Sequence, residues 1–421
     1  MPDPLPITPF TGPVRGEVML PGSKSITNRA LVLAALSART ITLSNALFSE
    51  DTRLMVEALR ALGFLVETDA PARLVRVAGR GGEIPAREAR INVGNAGTVA
   101  RFLTAFVCLR PDGVYHFSGD EAMCRRPVGT LLDALAAQGA HVTARSFPFT
   151  LRTAGLAGGE VGLDASESSQ LLSALLLVAP HARAPLHVRL QGGTVSRPFV
   201  EMTERMLAQF AAIPAGYAIE ADATAASYFL ALPLVAGGHV GLTGLTLLKS
   251  LQGDIEFAKV LQKAGLAVTG AGGGVEACVA TGAPRHGVTA DFNAFSDTFL
   301  TLAAIAPLLE GPTRITGIGH TRRQESDRVA GAARELRRLG QEVVEEPDAL
   351  TIQPRPLTAG VEIETYQDHR FAMSFAILGC HDLHGDGRPW LRIRNPGCCA
   401  KTFPDFFEVL GQVWQNSHHG Q

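Results

Sequence analysis

Two kinds of apolar segment alternate along the chain. The first is amphipathic, with apolar residues at helical spacing: DTRLMVEALRALGFLV from Asp51, RPVGTLLDALAAQGAHV from Arg126, RPFVEMTERMLAQF from Arg197, GDIEFAKVLQKAGLAV from Gly253, SDRVAGAARELRRLGQEV from Ser326 and TFPDFFEVLGQVW from Thr402. Most end in a glycine followed by strand residues, the mark of a helix stop. The second kind is apolar on every side: NRALVLAALSA from Asn28, RFLTAFVCL from Arg101, SQLLSALLLVAP from Ser169, AASYFLALPLVAGG from Ala225, DTFLTLAAIAPLLEG from Asp297 and HRFAMSFAILGC from His369. A helix apolar all round is buried. The spacing therefore predicts one unit repeated six times: buried helix, strand, outer helix, strands. One repeat is short, by roughly 15–20 residues, between Phe199 and Asp222. A chain of 421 residues is too long for one hydrophobic core, so three repeats per domain are expected.

Composition narrows the class. Apolar residues make up 46% and charged residues 19%, which excludes a disordered chain. The net charge of −2 argues against nucleic-acid binding driven by bulk charge. The greasiest run, 171–180, is half of the about 20 residues a membrane span needs. Cysteines at 108, 124, 278, 380, 398 and 399 form no C-x-x-C pair, and the first residues, MPDPLPITPF, lack the pattern of a secretory leader. A cytoplasmic location is expected, with no disulfide framework and no zinc site.

The polar residues at the starts of the buried helices carry the candidate chemistry: Lys24, Ser25 and Arg29; Asn95, Gly97, Thr98 and Arg101; Ser168, Ser169 and Gln170; Asp222 and Thr224; Asp297; Asp368 and Arg370. Helix N-termini suit anions. Ordinary N-capping accounts for Thr224 and Ser168. It does not account for cations there, each unfavourable by about 0.3–1 kcal/mol unless an anion offsets it. Lys24, Arg29, Arg101, Arg126, Arg328, Arg370 and Lys401 exceed what one carboxylate needs, and suit two anionic substrates, at least one bearing phosphate. Two acids stand among them, Asp297 and Glu325, each equally readable as an acid–base group or as an ion-pair partner of an arginine. No P-loop, no strand–GxGxxG–helix fingerprint and no His/Cys metal set is present, so no cofactor or metal is expected.

These motifs resemble those of the 5-enolpyruvylshikimate 3-phosphate synthases, in order, from Leu20 to Leu410. The resemblance implies two inside-out α/β domains, 22–218 and 1–21 joined to 219–421, with the active site in the cleft between them, and a monomer. It implies transfer of the enolpyruvyl group of phosphoenolpyruvate to the 5-hydroxyl of shikimate 3-phosphate. LPGSKSITNRA would supply Lys24 to both substrates and Ser25 and Arg29 to the shikimate carboxylate. NAGTVAR would border the phosphoenolpyruvate pocket with Gly97, and RRP would add Arg126. Ser168, Ser169 and Gln170 would lie over the substrates, with Gln170 reaching both, and Ser196 would hold the shikimate phosphate. Asp297 would be the general base. Glu325 would be the proton donor, Arg328, Arg370 and Lys401 phosphoenolpyruvate ligands, and His320 and Gln324 would lie on the shikimate side.

Several positions depart from the family pattern. Gln324 replaces a Lys, Phe102 a Pro, Ala122 an Arg, Phe199 a frequent Tyr, His320 a frequent Asn and Ala221 a Gly. The lost Lys removes a cation from the shikimate side. Phe102 is expected to shift Gly97 and Thr98 and so to lower sensitivity to glyphosate, which competes for the phosphoenolpyruvate pocket in this family. The departures leave open a paralogue acting on another cyclic alcohol, or a binding protein without catalysis. The sister UDP-N-acetylglucosamine enolpyruvyl transferases use a loop Cys several residues before an Arg-Pro. Here Cys124 stands only two residues before Arg126, which disfavours that reading.

Overall fold

Burial and local caps set the helices in this computed structural model, which describes residues 1–193, 196–212, 215–280 and 282–419. In chain order they are α1 (Lys24–Leu36), α2 (Glu50–Ala61), α3 (Gly97–Phe106), α4 (Glu121–Arg125), α5 (Gly129–Ala137), α6 (Ser169–Val178) and α7 (Pro198–Ala212). There follow α8 (Ala223–Ala236), α9 (Phe257–Lys263), α10 (Phe299–Ile305), α11 (Arg328–Arg338), α12 (His369–Gly379) and α13 (Phe406–His419). Side-chain caps fix several starts: Ser168 accepts from the Gln170 N–H, Asp222 from Ala225, Asp327 from Ala330 and Asp368 from Arg370. Asp222, and not Thr224, is thus the cap of α8.

The all-apolar segments form α1, α3, α6, α8, α10 and α12, and the amphipathic ones form the helices between them. Every residue of α1 from Ile26 to Leu36 is buried, so truncating a leucine there costs about 2–5 kcal/mol. Two predicted positions need correction. α1 and α3 begin at Lys24 and Gly97, a turn earlier than the apolar pattern indicates, so Arg29 and Arg101 lie in the second turn and not at the N-terminus. The second outer segment, read from Arg126, becomes helical only at Gly129, behind the separate short helix α4.

The chain divides into two compact units, Gly22–Glu220 and Met1–Pro21 with Ala221–Gln421; the expected boundary lay at 218/219. In the first unit α1, α3 and α6 pack on one another. In the second, α8, α10 and α12 do the same. Among the described residues each unit has three sheets, each containing a parallel pair, and in two of the three a buried helix bridges that pair. Glu88–Asn92 pairs with Val114–Ser118 across α3, and Thr289–Asp291 with Thr313–Thr316 across α10. In both, an antiparallel hairpin extends the pair. In the short repeat the sheet has two strands among the described residues, Gly159–Leu163 and Leu186–Leu190. The missing hairpin is the deficit seen in the sequence.

The first sheet of each unit is completed from far along the chain. Gly216–Ala218 pairs in parallel with Thr40–Ser44, and Val14–Met19 with Gly238–Thr243. This pairing sends the chain from the second unit to the first at Pro21–Gly22 and back at Glu220–Ala221. Gly22 lies against the Asn45 carbonyl, where an added Cβ would sit 1.9 Å from the oxygen, so only glycine fits before Ser23-Lys24. No helix among the described residues is long and apolar enough to cross a membrane.

Candidate active site

In the first unit the candidate residues cluster at the starts of α1, α3 and α6. Lys24 opens α1, and its Nζ lies 3.5 Å from Asp51 Oδ2 in the first turn of α2. That acid offsets an ammonium at a helix N-terminus, so Lys24 needs no ligand to explain its place. Arg29 is only 1% exposed, yet its donors reach neutral oxygens. Nε donates to Thr203 Oγ1 (2.7 Å), Nη1 to the Ser25 carbonyl (3.1 Å), and Nη2 to Ser173 Oγ (3.2 Å) and the Phe199 carbonyl (3.1 Å). Burial pushes its pKa down to about 9.

Gly97 is the first residue of α3. A Cβ there would lie 2.8 Å from both Arg126 Nη2 and Gln170 Oε1, so its hydrogen is what lets these two side chains converge. Arg126 Nη1 donates to the carbonyl and the side-chain oxygen of Asn95, both at 3.0 Å. Arg101 Nη1 also lies beside this group, 3.3 Å from that Cβ position. Its guanidinium donates to the Pro127 carbonyl from Nη2 (2.5 Å) and Nε (3.2 Å), bracing the turn that carries Arg126. Gln170 Oε1 is buried without a hydrogen-bond partner among the described residues. Ser169 and Ser196 are buried, Ser25 and Ser168 half-buried, and Ser196 holds a left-handed backbone at φ 51°.

The second unit concentrates opposite charges. Arg328, the first residue of α11, is 1% exposed. It donates from Nε to Asp368 Oδ2 (2.7 Å), from Nη2 to Glu325 Oε2 (2.8 Å), and from Nη1 to Asp297 Oδ1 (3.0 Å) and to Gln324 Oε1. Arg370 Nη2 donates to Asp297 Oδ2 (2.5 Å), and its Nη1 lies 3.3 Å from the Tyr228 hydroxyl. Burial alone would lower both arginines, but the surrounding carboxylates outweigh it and hold both above the ordinary guanidinium value. Arg370 Nε is buried with no hydrogen-bond partner among the described residues. Each Asp297 oxygen takes one cation, Oδ1 from Arg328 and Oδ2 from Arg370.

Gln324, where the family pattern has Lys, accepts a bond from Arg328 that an ammonium could not accept. His320 Nε2 lies 2.8 Å from Ser296 Oγ beside Asp297, and burial lowers its pKa. Lys401 is buried at the end of a short helical turn, Pro396–Lys401, that packs on α12.

Two neighbours of the site, Tyr228 and Asp254, lay outside the sequence reading, and a third, Asp368, was read there only in part. Asp368 was legible as a cap but not as the main carboxylate of Arg328. Tyr228 is the one hydroxyl-bearing aromatic in an apolar helix, which was a usable signal. Asp254 had none. It is 3% exposed, accepts from Thr224 Oγ1 (3.1 Å), and sits on a helical turn, Gly253–Glu256, packed against α8 and against the turn carrying Asp297. Burial first, then the negative charges of Asp297 and Asp222, push its pKa up to about 7 against the pull of Arg370.

Two units with buried helices inside outer sheets are the fold of the enolpyruvyl transferases. An EPSP synthase from Acinetobacter baumannii superposes with TM-score 0.78 at 23% identity, covering 98% of each chain. The enolpyruvyl transferase NikO from Streptomyces tendae gives 0.70 at 18%, covering 98% of this chain and 97% of that one. The family model for EPSP synthase (3-phosphoshikimate 1-carboxyvinyltransferase) matches residues 10–214 and 211–410. A 3-phosphoshikimate 1-carboxyvinyltransferase from Opitutus terrae is 54% identical, over 99% of both chains. One from Nostoc punctiforme is 41% identical, over 98% of this chain and 99% of its own. The chain belongs to the EPSP synthase family, transferases of the shikimate pathway that move the enolpyruvyl group of phosphoenolpyruvate to shikimate 3-phosphate.

Proposed function

We propose that this chain catalyses that transfer with the residues described above. Shikimate 3-phosphate would be held by Lys24, Ser25, Arg29, Ser168, Ser169, Gln170, Ser196, His320 and Gln324. Phosphoenolpyruvate would be held by Lys24, Gly97, Arg126 and Gln170, and by Arg328, Arg370 and Lys401. Asp297 takes the proton of the 5-hydroxyl as that oxygen attacks C2 of phosphoenolpyruvate. Glu325 gives a proton to C3, forming a tetrahedral intermediate, with Lys24 beside both substrates. Glu325 then recovers a proton from the new methyl group as the C2–O bond to phosphate breaks, leaving the enolpyruvyl ether. Buried cations stabilise the charge on phosphate and carboxylate.

The observation that carries this reading is Asp297 between two buried guanidinium groups, next to Arg370 Nε and on the same Arg328 as Glu325. A base and an acid share one cation there, and a buried N–H stands ready for a ligand oxygen. The test is phosphate release on mixing the protein with both substrates, with Asp297→Ala as control. Release that disappears in the variant is expected. No release with shikimate 3-phosphate still bound would leave a binding protein, and no binding would move the search to other cyclic alcohols. A cytoplasmic, monomeric state completes the proposal. The six free cysteines support a reducing compartment, and light scattering of the purified chain tests the monomer.

A further inference from the structure

Arg29 is an unusual buried cation. It has five N–H donors, and its four hydrogen bonds go to neutral oxygens. One N–H, on Nη1, has no partner among the described residues. Among the described residues no carboxylate pairs with it. What faces its charge instead is aromatic: the guanidinium carbon lies 5.0 Å from the centroid of the Phe102 ring and 6.0 Å from that of Phe199. Phe102 is fully buried, so the contact is shielded from water. A ring face attracts a cation without neutralising it. The full charge thus stays available to an incoming anion, which a carboxylate partner would have weakened.

Phe102 sits on α3, whose first residue is Gly97, so it could act on either end of that helix. The N-terminal end is fixed separately. Asn28, next to Arg29 on α1, donates from Nδ2 to Thr98 Oγ1 at 2.7 Å. Residues 28 and 29 of α1 thus grip α3 at two points one turn apart. The hydrogen bond holds the first turn, and the ring holds the guanidinium.

We propose that Phe102 is a positioning residue for the acceptor's carboxylate, acting through Arg29 and not through Gly97. This rests on the reading of Arg29 as an acceptor ligand. The expectation that Phe102 acts on the phosphoenolpyruvate side is thereby replaced by one on the acceptor side.

Two altered proteins test it. Phe102→Leu removes the ring. A protein carrying 3,4,5-trifluorophenylalanine in place of Phe102 keeps the shape and weakens the negative face of the ring. A desolvated cation–π contact is strong enough for a roughly five- to thirtyfold change in affinity. We expect the fluorinated protein to raise KM for shikimate 3-phosphate about fivefold, with kcat, KM for phosphoenolpyruvate and glyphosate inhibition unchanged within about twofold. An unchanged acceptor KM, an equal rise in both KM values, or a change confined to phosphoenolpyruvate and glyphosate overturns the proposal. Should Phe102→Leu fail to fold, the fluorinated protein still decides. Should the unmodified chain release no phosphate, the proposed function fails, and calorimetric titration with shikimate 3-phosphate then reads Phe102 directly. Weaker binding to the fluorinated protein supports the ring's role, while equal binding, or none to either protein, overturns it.

Discussion

Asp254→Asn isolates the cost of a buried acid beside the proposed base. The Asp254 carboxyl accepts from Thr224 and is packed under Asp297, with Asp222 and Arg370 also acting on it. Its pKa stands at about 7 in the folded protein, against about 3.9 in an unfolded chain. Between these values the folded state holds a proton that the unfolded state has released. Stability therefore falls as pH rises through that window. At about 1.4 kcal/mol per pH unit, the gap sets a ceiling of about 4 kcal/mol, fully present below pH 4 and lost by pH 7. Asparagine carries no such proton, and its carbonyl can still accept from Thr224, as its amide can donate where the protonated acid would. The assay is the urea midpoint of wild type and Asp254→Asn at half-unit steps from pH 4 to 8. The variant should gain on wild type by up to about 4 kcal/mol at pH 8 relative to pH 4. Parallel curves would show that Asp254 is ionised in the folded protein at neutral pH, and would refute the reasoning.

Two further outcomes follow from the same contacts. Gly97→Ala should press Arg126 Nη2 and Gln170 Oε1, each 2.8 Å from the new methyl. Both are the ends of flexible side chains, so stability should change by less than about 1 kcal/mol while KM for phosphoenolpyruvate rises about tenfold; an unchanged KM would separate these side chains from that substrate. Asp368→Asn should leave the buried Arg328 short of its main carboxylate, costing about 3 kcal/mol in thermal or urea unfolding and lowering kcat through a displaced Arg328; stability within about 1 kcal/mol of wild type would contradict the assigned pairing.

Much of the fold was legible because burial is written locally. A helix packed on all sides must be apolar on all sides, and one at the surface must not be, so the alternation of the two helix types and the shortened repeat could be counted directly. The motifs LPGSKSITNRA, NAGTVAR and ESDR marked the segments that hold the polar clusters. Helix starts were less legible: Lys24 and Gly97 open α1 and α3 although the apolar periodicity begins later, because a polar first turn has no period.

What only the tertiary structure decided is pairing between residues distant along the chain. Gly216–Ala218 joins Thr40–Ser44, and Val14–Met19 joins Gly238–Thr243, through backbone hydrogen bonds that every strand can offer. Lys24 finds Asp51, Arg328 finds Asp368, Asp254 comes to lie under Asp297, and Phe102 under Arg29. Hydrophobic periodicity is a property of one segment and survives in the sequence. A charge partner, a ring face or a strand neighbour is a property of two segments, and only packing brings them together.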